Sequence, residues 1–179
     1  MIRTEELSSL RTAINLYCIE EGRFPISDGN FVSSWIDLYP LTCSTKMMSM
    51  LTNSLATKLF TTPWQFEYIA GKELHGALLA CNLVNSHRFL ESDLIIVRKE
   101  DNIVKTPYHI DSTRNCILVD EVISSGTNMM SSIEYLHNKG FKVTGVICVI
   151  YRGGGAKEKA EEIGIPFTSL FDIPEKVIC

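Results

Sequence analysis

Residues 116–128 read CILVDEVISSGTN. Four apolar residues suited to a buried strand run directly into two adjacent carboxylates, Asp120 and Glu121, and then into a small, hydroxyl-rich turn. In an open parallel sheet, ligands gather at the carboxyl ends of the strands, where these acids are expected to fall. Ser124, Ser125, Gly126 and Thr127 would turn the chain into a helix carrying Met129, Ile133 and Leu136 on one side. Free N–H groups at such a helix start, with hydroxyls beside them and a glycine allowing close approach, form a cradle for a phosphate. The carboxylates repel phosphate but suit sugar hydroxyls, or the water shell of a magnesium ion. Phosphate on one side and a polyol on the other describe a phosphorylated ribose. A plainer reading makes Asp120 a turn residue and Thr127 a helix cap. It leaves unexplained why two acids are crowded together, where their repulsion costs stability unless donors or a cation offset it.

Working outward, apolar spacing alternates between helical and extended periods. Leu7, Leu10, Ile14 and Tyr17 mark one helix face, and Met48, Leu51, Leu55 and Leu59 another. FVSSWIDLY (31–39), WQFEYIA (64–70), DLIIVR (93–98), CILVD (116–120), KVTGVICVI (142–150) and PFTSL (166–170) read as strands. Between them lie a buried helix over 75–84 and helices over about 128–139 and 156–163, stopped by Gly140 and Gly164. Alternation of this kind predicts an α/β fold, an open parallel sheet flanked by helices. No linker or repeat interrupts it, so residues 1–179 are expected to form one domain. The polar stretch 99–115, with Pro107, reads as a mobile loop.

Composition narrows the function. Seventeen Lys and Arg against 21 Asp and Glu leave a net charge of −4, so no basic field exists to hold a nucleic acid. The longest apolar runs fall far short of the roughly 20 residues a membrane-spanning helix needs, and residues 1–20 do not read as a signal peptide. A cytoplasmic protein without membrane or nucleic-acid partners is the expectation. The cysteines at 18, 43, 81, 116, 148 and 179 show no CxxC spacing, and Cys81, Cys116 and Cys148 sit in apolar runs as packing residues. His87, His109 and His137 lack metal-ligand spacing, and GKE at 71–73 lacks the rest of a Walker pattern.

CILVDEVISSGTN resembles the phosphoribosyl-pyrophosphate (PRPP) signature of the type I phosphoribosyltransferases. Other segments match the orotate branch in order and spacing: the opening from GRFPISDGNF to NSLATKL, IAGKELHGALLA as a pyrophosphate loop, IIVRKE, and GVICVIYRGGGAKEKAEEIGIPFTSLFDI. The resemblance implies a PRPP-dependent transferase with a small hood built mainly from about residues 1–40 and the C-terminal segment. It implies that Asp120 and Glu121 hold the ribose hydroxyls and, through water, Mg2+. Val122, Ile123, Ser124, Ser125, Gly126, Thr127 and Asn128 would line the 5-phosphate site, and Leu74, His75, Arg98 and Lys99 the pyrophosphate. For the base it implies Ser27, Trp35 and Ile36, Ser124 at a threonine position that touches orotate, and Arg152 pairing with the orotate carboxylate. The triple glycine (153–155), directly after a strand and beside Arg152, reads as letting the backbone pass close to a ligand; the plainer alternative is a flexible turn beside a surface arginine. The family's loop also reaches into a neighbouring subunit, so a homodimer is implied.

Departures accompany the matches. Asn102 and Val104 stand where the family has a catalytic lysine and a histidine, Glu121 where aspartate is usual, and Ser27 where a lysine is. Electrostatic contacts to a developing charge are usually the largest contribution to catalysis, and losing one costs on the order of 100-fold in turnover. Lys105, in the same loop, is a candidate replacement. Three functions follow from the sequence: transfer of phosphoribose to orotate, transfer to another base, or PRPP sensing without turnover.

Overall fold

The computed structural model describes residues 4–25, 31–86, 89, 91–98, 104–105 and 113–178. In chain order the elements are α1 (Thr4–Tyr17), β1 (Ile19–Pro25), β2 (Phe31–Ile36), α2 (Tyr39–Thr42), α3 (Thr45–Leu59), β3 (Tyr68–Lys72), α4 (His75–Val84) and β4 (Asp93–Val97). They continue with β5 (Val104–Lys105), β6 (Asn115–Ile123), α5 (Thr127–Asn138), β7 (Lys142–Tyr151), α6 (Ala156–Glu162), β8 (Phe167–Asp172) and β9 (Val177–Ile178).

The main sheet has the order β5-β4-β3-β6-β7-β8. Its strands pair in parallel from β4 to β8. The expected parallel sheet is therefore present, with one addition: β5 runs antiparallel at the edge, Ile96 facing Lys105 and Val97 facing Val104. Alternate residues of β6 explain why its apolar run is continuous. Ile117 and Val119 join a core cluster with Leu10 of α1, Leu51 and Leu55 of α3, and Leu79 and Leu83 of α4. Cys116 and Leu118 join a second cluster with Met129, Ile133 and Leu136 of α5 and with Ala156 and Ala160 of α6. A strand covered by helices on both faces has no side to leave polar.

A second, three-stranded sheet has the order β1-β2-β9, both pairs antiparallel. It ties the chain's beginning to its end, since Val32 faces Val177 and the Ser33 N–H donates to the Lys176 carbonyl at 3.0 Å.

Two strands differ from expectation. The run 31–39 breaks after Ile36 because Asp37 Oδ1 accepts a hydrogen bond from the Tyr39 N–H at 2.8 Å, and Pro40 sits in the first turn of α2, where its missing donor costs nothing. The run 64–70 becomes regular only at Tyr68. Trp64 packs over Gly145, in space a side chain there would need, its nearest ring atom 2.4 Å from where a Cβ would stand. Among the cysteines, Cys18, Cys116 and Cys148 are buried, while Cys81 is only half-buried. Burial pushes the Cys116 thiol up to about 12, consistent with an inert packing residue.

Candidate active site

The connections define where a ligand can sit. From β3 the chain passes through α4 to β4 on one side, whereas from neighbouring β6 it passes through α5 to β7 on the other. α4 and α5 belong to opposite core clusters, so the winding reverses between β3 and β6, and such a switch point opens a crevice at the strands' carboxyl ends. Register sharpens the location. Pairing of β3 with β6 stops at Gly71 and Val119, while β6 remains paired to β7 as far as Ile123 and Tyr151. Asp120 and Glu121 are thus inside a strand, not in the turn, but at the stretch where the β3 side has ended.

Both acids are buried enough to resist ionisation. Desolvation raises Asp120 to about 6, against the opposing pull of the Glu121 N–H, which donates to its Oδ1 at 2.9 Å, and of the nearby charges of Lys72 and His75. Glu121 is raised to about 7, again chiefly by burial and further by Asp120 and Asp37, while a hydrogen bond from His75 works the other way. His75, the first residue of α4, contacts Glu121 Oε2 through Nδ1. The ring of Tyr39 meets His75 edge-on at 3.9 Å between centroids.

These shifts carry a sign. The folded protein holds protons that the unfolded chain would release above its ordinary carboxylate range, so this pair lowers stability as pH rises from about 4 to about 7, and the full cost is present above that. Measured by thermal unfolding without ligand, a protein carrying Asp120→Asn and Glu121→Gln should match the parent near pH 4. It should exceed the parent's Tm by a margin that grows through pH 6–7.

After Ile123 comes the cradle. Gly126 adopts φ +76°, a left-handed conformation that glycine takes freely, and it begins α5 at Thr127. The hydroxyls of Ser125 and Thr127 lie 3.1 Å apart at this turn. First-turn amides of a helix have no preceding carbonyl to bond, which leaves them available to an anion. Lys159 of α6 adds a cation, its Nζ donating to the Ser125 carbonyl at 2.7 Å. Sequence spacing offered no signal for that lysine, because it reaches the loop only through the packing of α6 beside α5.

The remaining predicted residues fall around this crevice unevenly. Leu74 is exposed in the turn after β3, preceded by a cis peptide bond from Glu73. Arg98, just past β4, places Nε 3.4 Å from Glu73 Oε2. Trp35 is 51% exposed beside Phe24, but Ile36 is 6% exposed and packs into the core. That corrects the pairing of Trp35 with Ile36 as base-flanking residues: neighbours on a strand point to opposite faces, so only one can face a ligand. Ser27, Lys99 and Asn102 lie outside the described residues, as do His87 and His109.

Arg152 is no surface residue. It is 4% exposed at the end of β7, donates from Nη2 to Ser34 Oγ of β2 at 3.1 Å, and has Nε 3.7 Å from Glu175 Oε2. Ser124 Oγ donates to the other oxygen of the same carboxylate. The glycines after Arg152 serve this closeness: a Cβ on Gly154 would stand 2.7 Å from Ser124 Oγ. Ser34 and Glu175 were invisible to sequence reading, since each reaches Arg152 from the small sheet or its approach.

No protein-family model matches the chain. Compared with curated proteins, it is 29% identical over 177 residues to an orotate phosphoribosyltransferase of Pyrococcus furiosus, covering 96% of this chain and 93% of that one. The chain is similar to the type I phosphoribosyltransferases, and among them to the orotate phosphoribosyltransferases. An orotate phosphoribosyltransferase of Caenorhabditis elegans is 26% identical over 171 residues, covering 92% of this chain and 74% of that one. Among solved structures, the Mycobacterium tuberculosis H37Rv orotate phosphoribosyltransferase in complex with inorganic phosphate superposes with a TM-score of 0.78 at 19% identity, over 94% of this chain and 96% of that one. At that identity the superposition speaks for the phosphoribosyltransferase fold.

Proposed function

We propose that the chain is a pentosyltransferase that moves the 5-phosphoribosyl group of PRPP onto orotate, forming orotidine 5'-monophosphate and releasing pyrophosphate. The observation that carries this reading is the convergence, at one switch point, of a half-buried acid pair, a hydroxyl-lined helix start and a buried arginine. The cradle at 124–128 takes the 5-phosphate. Asp120 and Glu121 accept hydrogen bonds from the ribose hydroxyls, fixing the ring while the anomeric C–O bond to pyrophosphate breaks and the C–N bond to the base forms. Arg152 and Ser124 hold the acceptor, with Trp35 beside it as the exposed aromatic. Leu74, His75 and Arg98 border the path of the leaving group, with Lys99 as the further cation.

Magnesium fits this donor set. Among the described residues no cluster of three or more ligating side chains exists to cage an ion, yet Mg2+ commonly binds through one or two carboxylates and substrate phosphates. Asp120 and Glu121 would hold it through water, and the ion would supply positive charge to the departing pyrophosphate. Binding should follow the protonation of the acids: affinity for PRPP falls as pH drops through about 7 and then 6, because a protonated carboxyl is a poorer acceptor. No helix among the described residues is long and apolar enough to cross a membrane. A cytoplasmic homodimer is part of the proposal, carried by the resemblance alone, since most of the residues after Arg98 that would reach a neighbouring subunit lie outside the described residues.

Incubation with PRPP, Mg2+ and single candidate bases, followed by pyrophosphate release, tests the function. Turnover with orotate is expected. Turnover only with another base, or PRPP binding without turnover with any base, would overturn the orotate assignment.

A further inference from the structure

The segment joining β8 to β9 carries a carboxylate with no part in the reaction described above. Glu175 lies between two ties: its own N–H donates to the Arg152 carbonyl at 2.8 Å, and the next residue's carbonyl accepts from Ser33 of β2 at 3.0 Å. Its side chain is 13% exposed, and that of Arg152 only 5%. One carboxylate oxygen accepts from Ser124, the other faces Arg152. The contact with the guanidinium is incomplete, however. Nε sits 3.7 Å from Oε2 and, although buried, has no hydrogen-bond partner among the described residues.

We propose that Glu175 is an internal competitor for Arg152, occupying the position of the acceptor's carboxylate and thereby setting how strongly the site prefers an acceptor that carries one. The inference rests on the assignment of Arg152 and Ser124 to the acceptor. A buried guanidinium left without a counter-charge is costly, so Arg152 keeps Glu175 until another anion replaces it. A planar carboxylate free to approach the guanidinium fork can make the paired hydrogen bonds that Glu175, held by its backbone, does not. Exchange of one carboxylate for another leaves Arg152 paired throughout. A pyrimidine with hydrogen in place of the carboxylate leaves Glu175 where it is and gains nothing from Arg152.

Apparent affinity for a competing ligand is reduced by the fraction of time its site is open. Steady-state kinetics on the parent and on Glu175→Gln, which keeps the size and the acceptor for Ser124 but removes the charge, reads that fraction. The KM for orotate should fall about tenfold in the variant, with the KM for PRPP unchanged. Inhibition by uracil, which lacks the carboxylate, should not strengthen. Should Glu175→Gln fail to fold, Glu175→Asp, one methylene shorter, should show the same selective gain for orotate. An unchanged or raised KM for orotate overturns the proposal, as does an equal gain for orotate and uracil, which would mean general loosening. If parent and variant both bind PRPP yet neither uses orotate, the function falls and this inference with it. Turnover of orotate with an unmoved KM removes the inference alone.

Discussion

Replacing Asp120 with asparagine and Glu121 with glutamine should nearly abolish turnover while raising the melting temperature at pH 8. The two effects have one cause. Each carboxylate is half-buried and partly stripped of water, which is why Asp120 is raised to about 6 and Glu121 to about 7. Removing the charges relieves that desolvation in the unliganded protein. The same charges give strong hydrogen bonds to sugar hydroxyls, each worth roughly 1.5–3 kcal/mol when one partner is ionised. Two such losses correspond to a drop in kcat/KM of about a hundredfold to ten-thousandfold. Glutamine in place of Glu121 still offers His75 an amide oxygen as acceptor, so the fold near Tyr39 should persist. A double variant with full activity, or one less stable than the parent at pH 8, contradicts the account.

The second large effect is on folding. Gly71 of β3 and Gly76 of α4 bring strand and helix into backbone contact: a Cβ on Gly71 would stand 2.2 Å from the Gly76 carbonyl oxygen and 2.7 Å from Ala77 Cα. Neither neighbour is a flexible side chain that could swing aside. α4 would have to move bodily, although its own Leu79, Ala80 and Leu83 are fully buried. Overpacking a well-filled core usually costs about 1–3 kcal/mol, and a backbone clash belongs at or above that range. For a chain of this length, Gly71→Ala should lower Tm by roughly 6–12 °C. Because Gly76 also abuts the Val119 carbonyl and Asp120 Oδ1, the displacement should weaken PRPP binding as well. A variant with the parent's Tm would show that α4 has slack the packing does not suggest.

The fold's centre was legible because buried parallel strands leave an unusual trace. CILVDEVI and KVTGVICVI are apolar at both periods, which only coverage on both faces permits, and the glycines after α5 and α6 mark helix ends. The small sheet was less legible. β9 is two residues long and pairs with β2 across nearly the whole chain, and such distant pairing has no local signature. In the site, the acid pair and the 124–127 turn were readable since one contiguous segment holds them. The environment of Arg152 was not, because Ser34, Ser124 and Glu175 come from separate elements. Ile36 shows the converse limit: resemblance placed it at the base, whereas strand alternation turns it into the core.

The claim on which the account depends is that the acid pair and the adjacent helix start together grip a phosphorylated ribose. Calorimetric titration of the protein with ribose 5-phosphate isolates that grip from pyrophosphate, loop and base. Saturable one-to-one binding is expected at pH 8, weakening as pH falls through about 7 and 6 and lost in the Asp120→Asn, Glu121→Gln variant. Absence of heat at millimolar ligand, or an affinity that the double variant shares with the parent, would contradict it.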